Sequence, residues 1–166
     1  MIRFSIYLIL LFSCSIFKSN KTVNSTIEDS IELSQIEKPQ ESPLLFMRRT
    51  PCYGKCPTYK ISIFPNGNVL YEGVRFVDKI GLYKSIIDLK KIALIEDQIR
   101  RVDFFNFEEI YDARVTDLPS TIIEVNLEGD NHKVIGRYKI PAQFKIFSKF
   151  IDDLILGVKK WDKIID

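Results

Sequence analysis

The stretch Thr58-Tyr59-Lys60-Ile61-Ser62-Ile63-Phe64-Pro65-Asn66-Gly67-Asn68-Val69-Leu70-Tyr71-Glu72-Gly73 decides the fold. Tyr59, Ile61 and Ile63 alternate with Lys60 and Ser62, the period of a half-buried strand. Pro65-Asn66-Gly67 suits a type I turn followed by a left-handed glycine, which makes a three-residue loop. That loop sets Ile63 opposite Val69, Ile61 opposite Tyr71, Tyr59 opposite Gly73 and Lys60 opposite Glu72. Apolar pairs then fall on one face and an opposite-charge pair on the other, so the register is self-consistent. A two-residue loop would set Ile61 against Glu72, a worse pairing.

Working outward, Leu44 to Met47 starts an earlier strand, and Arg48 to Pro57 is a turn rich in breakers. A further strand is expected within Ile80 to Ile86. Asp88 then caps a helix over Leu89 to Val102, with Ile92, Ile95, Ile99 and Val102 at spacings of three and four. Phe104, Phe105 and Phe107 close the core after it. Asp117-Leu118-Pro119 leads into a second hairpin, in which Ile123, Val125 and Leu127 alternate with Glu124 and Asn126. Gly129-Asp130 marks its turn, and His132 to Tyr138 returns. A last helix is expected over Ala142 to Leu156, with Phe147, Phe150, Ile151 and Leu154 on one face. The expected fold class is α+β over residues 44–157: an antiparallel sheet of two hairpins with additional strands, and two helices packed on one face. Residues 158–166 read as a C-terminal tail.

The segment before the domain reads as an address. Met1 to Cys14 has one charged residue, Arg3, then an apolar run from Phe4 to Phe12 broken only by Ser5. That run falls well short of the ~20 residues a spanning helix needs and has the layout of a secretory signal, residues 1–13. Leu11-Phe12-Ser13-Cys14 resembles the lipobox of bacterial lipoproteins. The resemblance implies diacylglycerol on the Cys14 thiol, cleavage before it and acylation of the new amino terminus. Two acyl chains hold a protein on a membrane stably where one does not. A plain secretory signal with an incidental Cys14 is the alternative. Residues 14–43 form a flexible tether, because Ser15 to Pro43 holds ten Ser, Thr or Asn residues and one aromatic, Phe17. Ser15 after the cysteine, rather than Asp, permits delivery to the outer membrane by resemblance to lipoprotein sorting.

Composition narrows the function classes. The chain of 166 residues carries 24 Lys and Arg against 22 Asp and Glu, a net charge of +2, so a nucleic-acid partner is not indicated. One His excludes a multi-histidine metal centre within one chain. There is no Gly-x-Ser-x-Gly elbow, phosphate-binding glycine loop or His-Glu-x-x-His helix, and no cofactor is expected.

Cys52 and Cys56 permit three readings. A structural disulfide is the leading one in an oxidising compartment, with Gly54 at positive φ bringing the two Cα atoms within reach. Chain entropy credits so short a loop with only about 2 kcal/mol. The string Cys52-x-x-x-Cys56-Pro57 also resembles the copper motif of Sco-type chaperones, which would take Cys52, Cys56 and His132 as ligands, a set suited to Cu(I). Thiol–disulfide exchange is the third reading, although such sites favour Cys-x-x-Cys at a helix N-terminus.

Other candidates are weaker. Arg48, Arg49, Lys55 and Lys60, with Tyr53 among them, lie in a stretch without acids and form a candidate binding surface for an anionic partner; solvated outer-face charge is the alternative. Asp112, Arg114 and Asp117, with Glu108 and Glu109 upstream, are candidates for acid–base work or simple turn residues. Lys159-Lys160-Trp161-Asp162-Lys163 suits a membrane interface, or a helix end with Trp161 folded onto the core.

The string Arg49-Thr50-Pro51-Cys52-Tyr53-Gly54-Lys55-Cys56-Pro57-Thr58-Tyr59 resembles the opening signature of a bacterial family, domain of unknown function 6438. The Gly67 turn, Tyr71-Glu72-Gly73 and Thr116-Asp117-Leu118-Pro119 are similar to it as well. The resemblance implies a secreted or lipoprotein chain and a shared Cys52–Cys56 turn leading into the Tyr59 strand; it brings no activity. The expectation is a lipid-anchored extracytoplasmic domain with a binding or structural role at the bacterial envelope, its partners the membrane and an envelope protein or glycan. The alternative is a periplasmic copper or thiol-redox protein using Cys52 and Cys56.

Overall fold

The computed structural model describes residues 42–113 and 117–164. The chain divides into two units, residues 1–36 and 37–166, and all described residues belong to the second. Cys14, the signal and the tether up to residue 41 lie outside the described residues, as do Arg114 and Thr116.

Eight strands form one mixed, mostly antiparallel sheet: β1 Leu45–Arg49, β2 Thr58–Ile63, β3 Asn68–Arg75, β4 Gly81–Ile86, β5 Ile110–Tyr111, β6 Thr121–Leu127, β7 Asp130–Gly136 and β8 Asp162–Lys163. Their order is β5-β7-β6-β1-β2-β3-β4-β8, and only the β5–β7 pair is parallel. Two helices, α1 Leu89–Arg101 and α2 Ala142–Leu156, complete an α+β domain.

Local chemistry explains the β2–β3 junction. The Gly67 amide donates to the Phe64 carbonyl (3.0 Å), and the Phe64 amide to the Asn68 carbonyl (2.9 Å). Gly67 takes a φ of 86°. The pairs are Ile63 with Val69, Ile61 with Tyr71, Lys60 with Glu72 and Tyr59 with Gly73, the register expected from the three-residue loop. Gly67 is doubly constrained, since a Cβ there would lie 2.5 Å from the Ile87 carbonyl oxygen.

β1 is the keystone of the sheet, because it pairs with β2 on one side and β6 on the other. Leu45 and Met47 meet Ile63 and Ile61 across one seam, and Val125 and Ile123 across the other. These buried side chains share one core cluster with Ile92, Ile95 and Ile99 of α1 and Phe144, Phe147, Ile151 and Ile155 of α2. Asp88 caps α1 by accepting from the Lys90 amide (2.8 Å). The buried stripe of α2 is turned by about one position from the expected one. Phe144 and Ile155 are buried, whereas Phe150 and Leu154 are half-buried.

The chain beyond Leu156, read from sequence as a tail, returns to the sheet. β8 pairs with β4 through Lys163 opposite Tyr83 and Asp162 opposite Lys84. The Ile164 amide donates to the Leu82 carbonyl (2.8 Å).

Gly73 marks the closest approach of two segments. A Cβ there would stand 1.7 Å from the Lys79 carbonyl oxygen. The Gly73→Ala change is therefore expected to cost about 2–4 kcal/mol, since backbone must move. Gly129 has a φ of 94° and nothing within 4 Å of a built Cβ, so Gly129→Ala should cost only about 1 kcal/mol from backbone strain. Urea unfolding of the two variants checks the order.

Candidate functional site

Strand alternation separates the basic residues read as one patch. Arg48 pairs with Lys60, while Arg49 pairs with Tyr59 and Thr121 and shares the face of Leu45 and Met47. Lys60 binds Glu72 at 2.8 Å. Arg49 donates through Nη2 to Oδ2 of Asp152 and through Nη1 to Oγ1 of Thr121. The acids that neutralise this stretch come from β3 and α2, outside it, so a window scan could not show them. Arg48 and Lys55 stay exposed.

Asp152 draws together two strands. Its second oxygen, Oδ1, accepts from the Tyr59 hydroxyl. The Arg49 and Asp152 side chains are 25% and 22% exposed, so solvent screens them only in part. Burial works against the Arg49 charge, but Asp152 and Tyr59 outweigh it and raise the Arg49 pKa. Burial, then the hydrogen bond to and charge of Asp152, hold the Tyr59 phenol well above its ordinary value. Burial, then the charges of Asp78 and Tyr83, raise Tyr71 also.

Beside this cluster lies a cavity of about 450 Å³. Tyr59 and Ile61 of β2 and Tyr71 of β3 line it from the sheet, and Asp152, Ile155 and Leu156 from α2. The loop residues Phe76–Lys79 and the side chain of Trp161 complete it. The rings follow one another in a bent series: Tyr59 and Tyr71 have centroids 5.8 Å apart at 27°, and Tyr71 and Trp161 5.6 Å apart at 56°. The loop reaches this position because it lies on Gly73. A second depression, of about 640 Å³, runs along Phe64, Asn68, Lys84 and Lys160 and lacks such a cluster.

Cys52 and Cys56 are joined as a disulfide, with Cα atoms 5.7 Å apart. Gly54 does not take the positive φ expected of it; the bridge closes with ordinary backbone, and the Gly54 amide donates to Cys52 Sγ at 3.2 Å. The turn is pinned where it leaves β1, the Thr50 amide donating to the Ser120 carbonyl (3.0 Å) and the Ser120 amide to Thr50 Oγ1 (2.7 Å). Tyr53, at its tip, is 94% exposed.

His132 is not brought to the cysteines. It pairs with Val125, which pairs with Leu45 at the far end of β1, roughly 13 Å of strand from Arg49. Its Nε2 lies 2.9 Å from the Phe107 carbonyl oxygen, and its ring packs against Phe104. Among the described residues no three His, Cys, Asp or Glu side chains gather as a metal site. Glu108, Glu109, Asp112 and Asp117 are exposed, and none lines either cavity. Asp112 lies 3.4 Å from Arg137 instead. Lys159 and Lys160 are exposed, while Trp161 packs on Tyr71.

The sequence reading missed Asp152 as a site residue. Its signal was an acid beside the apolar stripe of α2, next to Ile151, together with a tyrosine at a core-facing strand position whose hydroxyl needs a partner. Fold and site define an α+β domain with a cystine-clamped turn beside an aromatic cavity. The chain belongs to the family described as Domain of unknown function (DUF6438), whose model matches residues 43–155. No curated protein matches the chain.

Two tests follow from the cluster. Asp152→Ala leaves Arg49 and Tyr59 half-buried without their acceptor and should cost about 1–3 kcal/mol in urea unfolding. The raised Tyr59 pKa fixes a pH trend. An unfolded phenol releases its proton near pH 10 while the folded one keeps it, so stability should fall as pH rises above about 10. Tyr59→Phe should make that fall shallower, read by denaturant midpoints between neutral and strongly alkaline pH.

Proposed function

We propose that the chain is a lipid-anchored, extracytoplasmic binding module of the bacterial envelope, and that the cavity beside Asp152 is its recognition site. The cavity carries the reading: a preformed aromatic concavity with a fixed Arg–carboxylate–phenol cluster is the usual form of a small-ligand site. The scaffold in this reading is two hairpins, β2–β3 and β6–β7, backed by both helices on one face of the sheet. The address rests on sequence: the lipobox-like Leu11-Phe12-Ser13-Cys14, the polar tether, and Ser15 favouring the outer membrane. The Cys52–Cys56 bridge agrees with an oxidising compartment. Its partners are the membrane, through acylated Cys14, and an envelope ligand, with no nucleic acid. Binding rather than catalysis is proposed because Tyr59 and Arg49 are both committed to Asp152, so the cluster offers no nucleophile with a base of its own. The copper or thiol-redox alternative needs Cys52 and Cys56 as thiols.

The intact mass of native protein, extracted from membranes and alkylated under denaturing, non-reducing conditions, tests the anchor. The expected product begins at Cys14, carries lipid-sized added mass and has no alkylated thiol. Two alkylated thiols would favour copper or redox chemistry, and an unlipidated chain cleaved elsewhere would remove the anchor.

A further inference from the structure

We infer that the ligand of the aromatic cavity is an uncharged pyranose saccharide; this rests on the cavity being the recognition site. Three observations select that class. The first is the series of rings from Tyr59 through Tyr71 to Trp161, with centroid spacings of 5.8 and 5.6 Å. The rings are not coplanar, Tyr71 and Trp161 being tilted by 56°, so a pyranose, with its apolar C–H faces and belt of hydroxyls, lays a face on one ring while its edge seeks hydrogen bonds.

The second is charge. The cavity is lined by Asp78, Asp152 and Lys79, and Arg49 stands behind Asp152. These four charges sum to zero. A net anion would meet Lys79 alone against Asp78 and Asp152, with Arg49 already held by Asp152. A cation would meet Asp78 with Lys79 beside it in the lining, and Asp152 already neutralised by Arg49. The third is polarity. An acyl chain would have to desolvate Asp78, Lys79 and Asp152 without repaying their hydrogen bonds, whereas hydroxyls can donate to the two carboxylates and accept from the ammonium.

Trp161 is the only tryptophan of the chain, so its emission reports on this site alone. The test titrates full-length native protein, in a polyoxyethylene detergent free of sugar headgroups, with cellotetraose, maltotetraose and chitotetraose. Tetramethylammonium and inorganic phosphate serve as charged probes. The expected result is a saturable change in Trp161 emission with at least one tetrasaccharide. Tyr71→Ala should weaken that binding about tenfold. Asp78 is exposed, so Asp78→Ala leaves folding intact and should weaken binding several-fold. Saccharide binding that neither variant changes would overturn the inference by placing the sugar elsewhere. A response to a charged probe alone would overturn the saccharide class and leave the cavity as a recognition site. Silence toward every probe, in emission and in thermal unfolding, would overturn both.

Discussion

One carboxylate holds the cavity end of this domain together. Asp152 has two oxygens and gives one to Arg49, the last residue of β1, and the other to Tyr59, the second residue of β2. The partners lie 103 and 93 residues away in sequence. A half-buried ion pair returns little net free energy, because desolvation of both charges offsets most of their attraction. Its consequence is positional. With Asp152 tied to two neighbouring strands, the last turn of α2 is fixed over the end of the sheet, and Ile155 and Leu156 become a wall of the cavity.

The loops at that end are constrained separately, each by its own chemistry. The chain that leaves β1 at Arg49 must return at Thr58, and the Cys52–Cys56 bridge limits how far it wanders. The chain that leaves β3 must clear Gly73, where only a missing side chain lets the Lys79 carbonyl approach. The string that carries the resemblance to the family begins at Arg49 and ends at Tyr59, so its two ends meet on the same carboxylate. The cystine lies between them and keeps the excursion short.

What the sequence made legible was local, and what it hid was distant. Pro65-Asn66-Gly67 dictates its loop within a few residues, and the register of β2 and β3 follows from the loop. Asp88 and the isoleucine spacing mark α1 for the same reason. Nothing local shows that β1 pairs with β6, more than seventy residues on, or that Asp162 and Lys163 return to β4. β5 is two residues long and runs parallel to β7, too short for periodicity to register. Arg48 and Arg49 looked like one basic patch because a strand's alternation sends neighbours to opposite faces only once the strand is known to continue through them. Arg49 then meets an acid contributed by another element.

The same geometry gives the domain a polarity. The chain joins β1 at Leu45, beside the turn that links β2 to β3, and the entry is fixed there. The Asn126 amide donates to the Leu44 carbonyl (2.9 Å), and the Asn126 side chain to the Pro43 carbonyl (2.8 Å). The cavity is built at the other end of the same strands, around Tyr59, Tyr71 and the loop over Gly73. Pro43 thus enters the domain at the end of β1 remote from Arg49 and the Asp152 cluster. The cavity therefore lies at the end of these strands opposite the Pro43 entry.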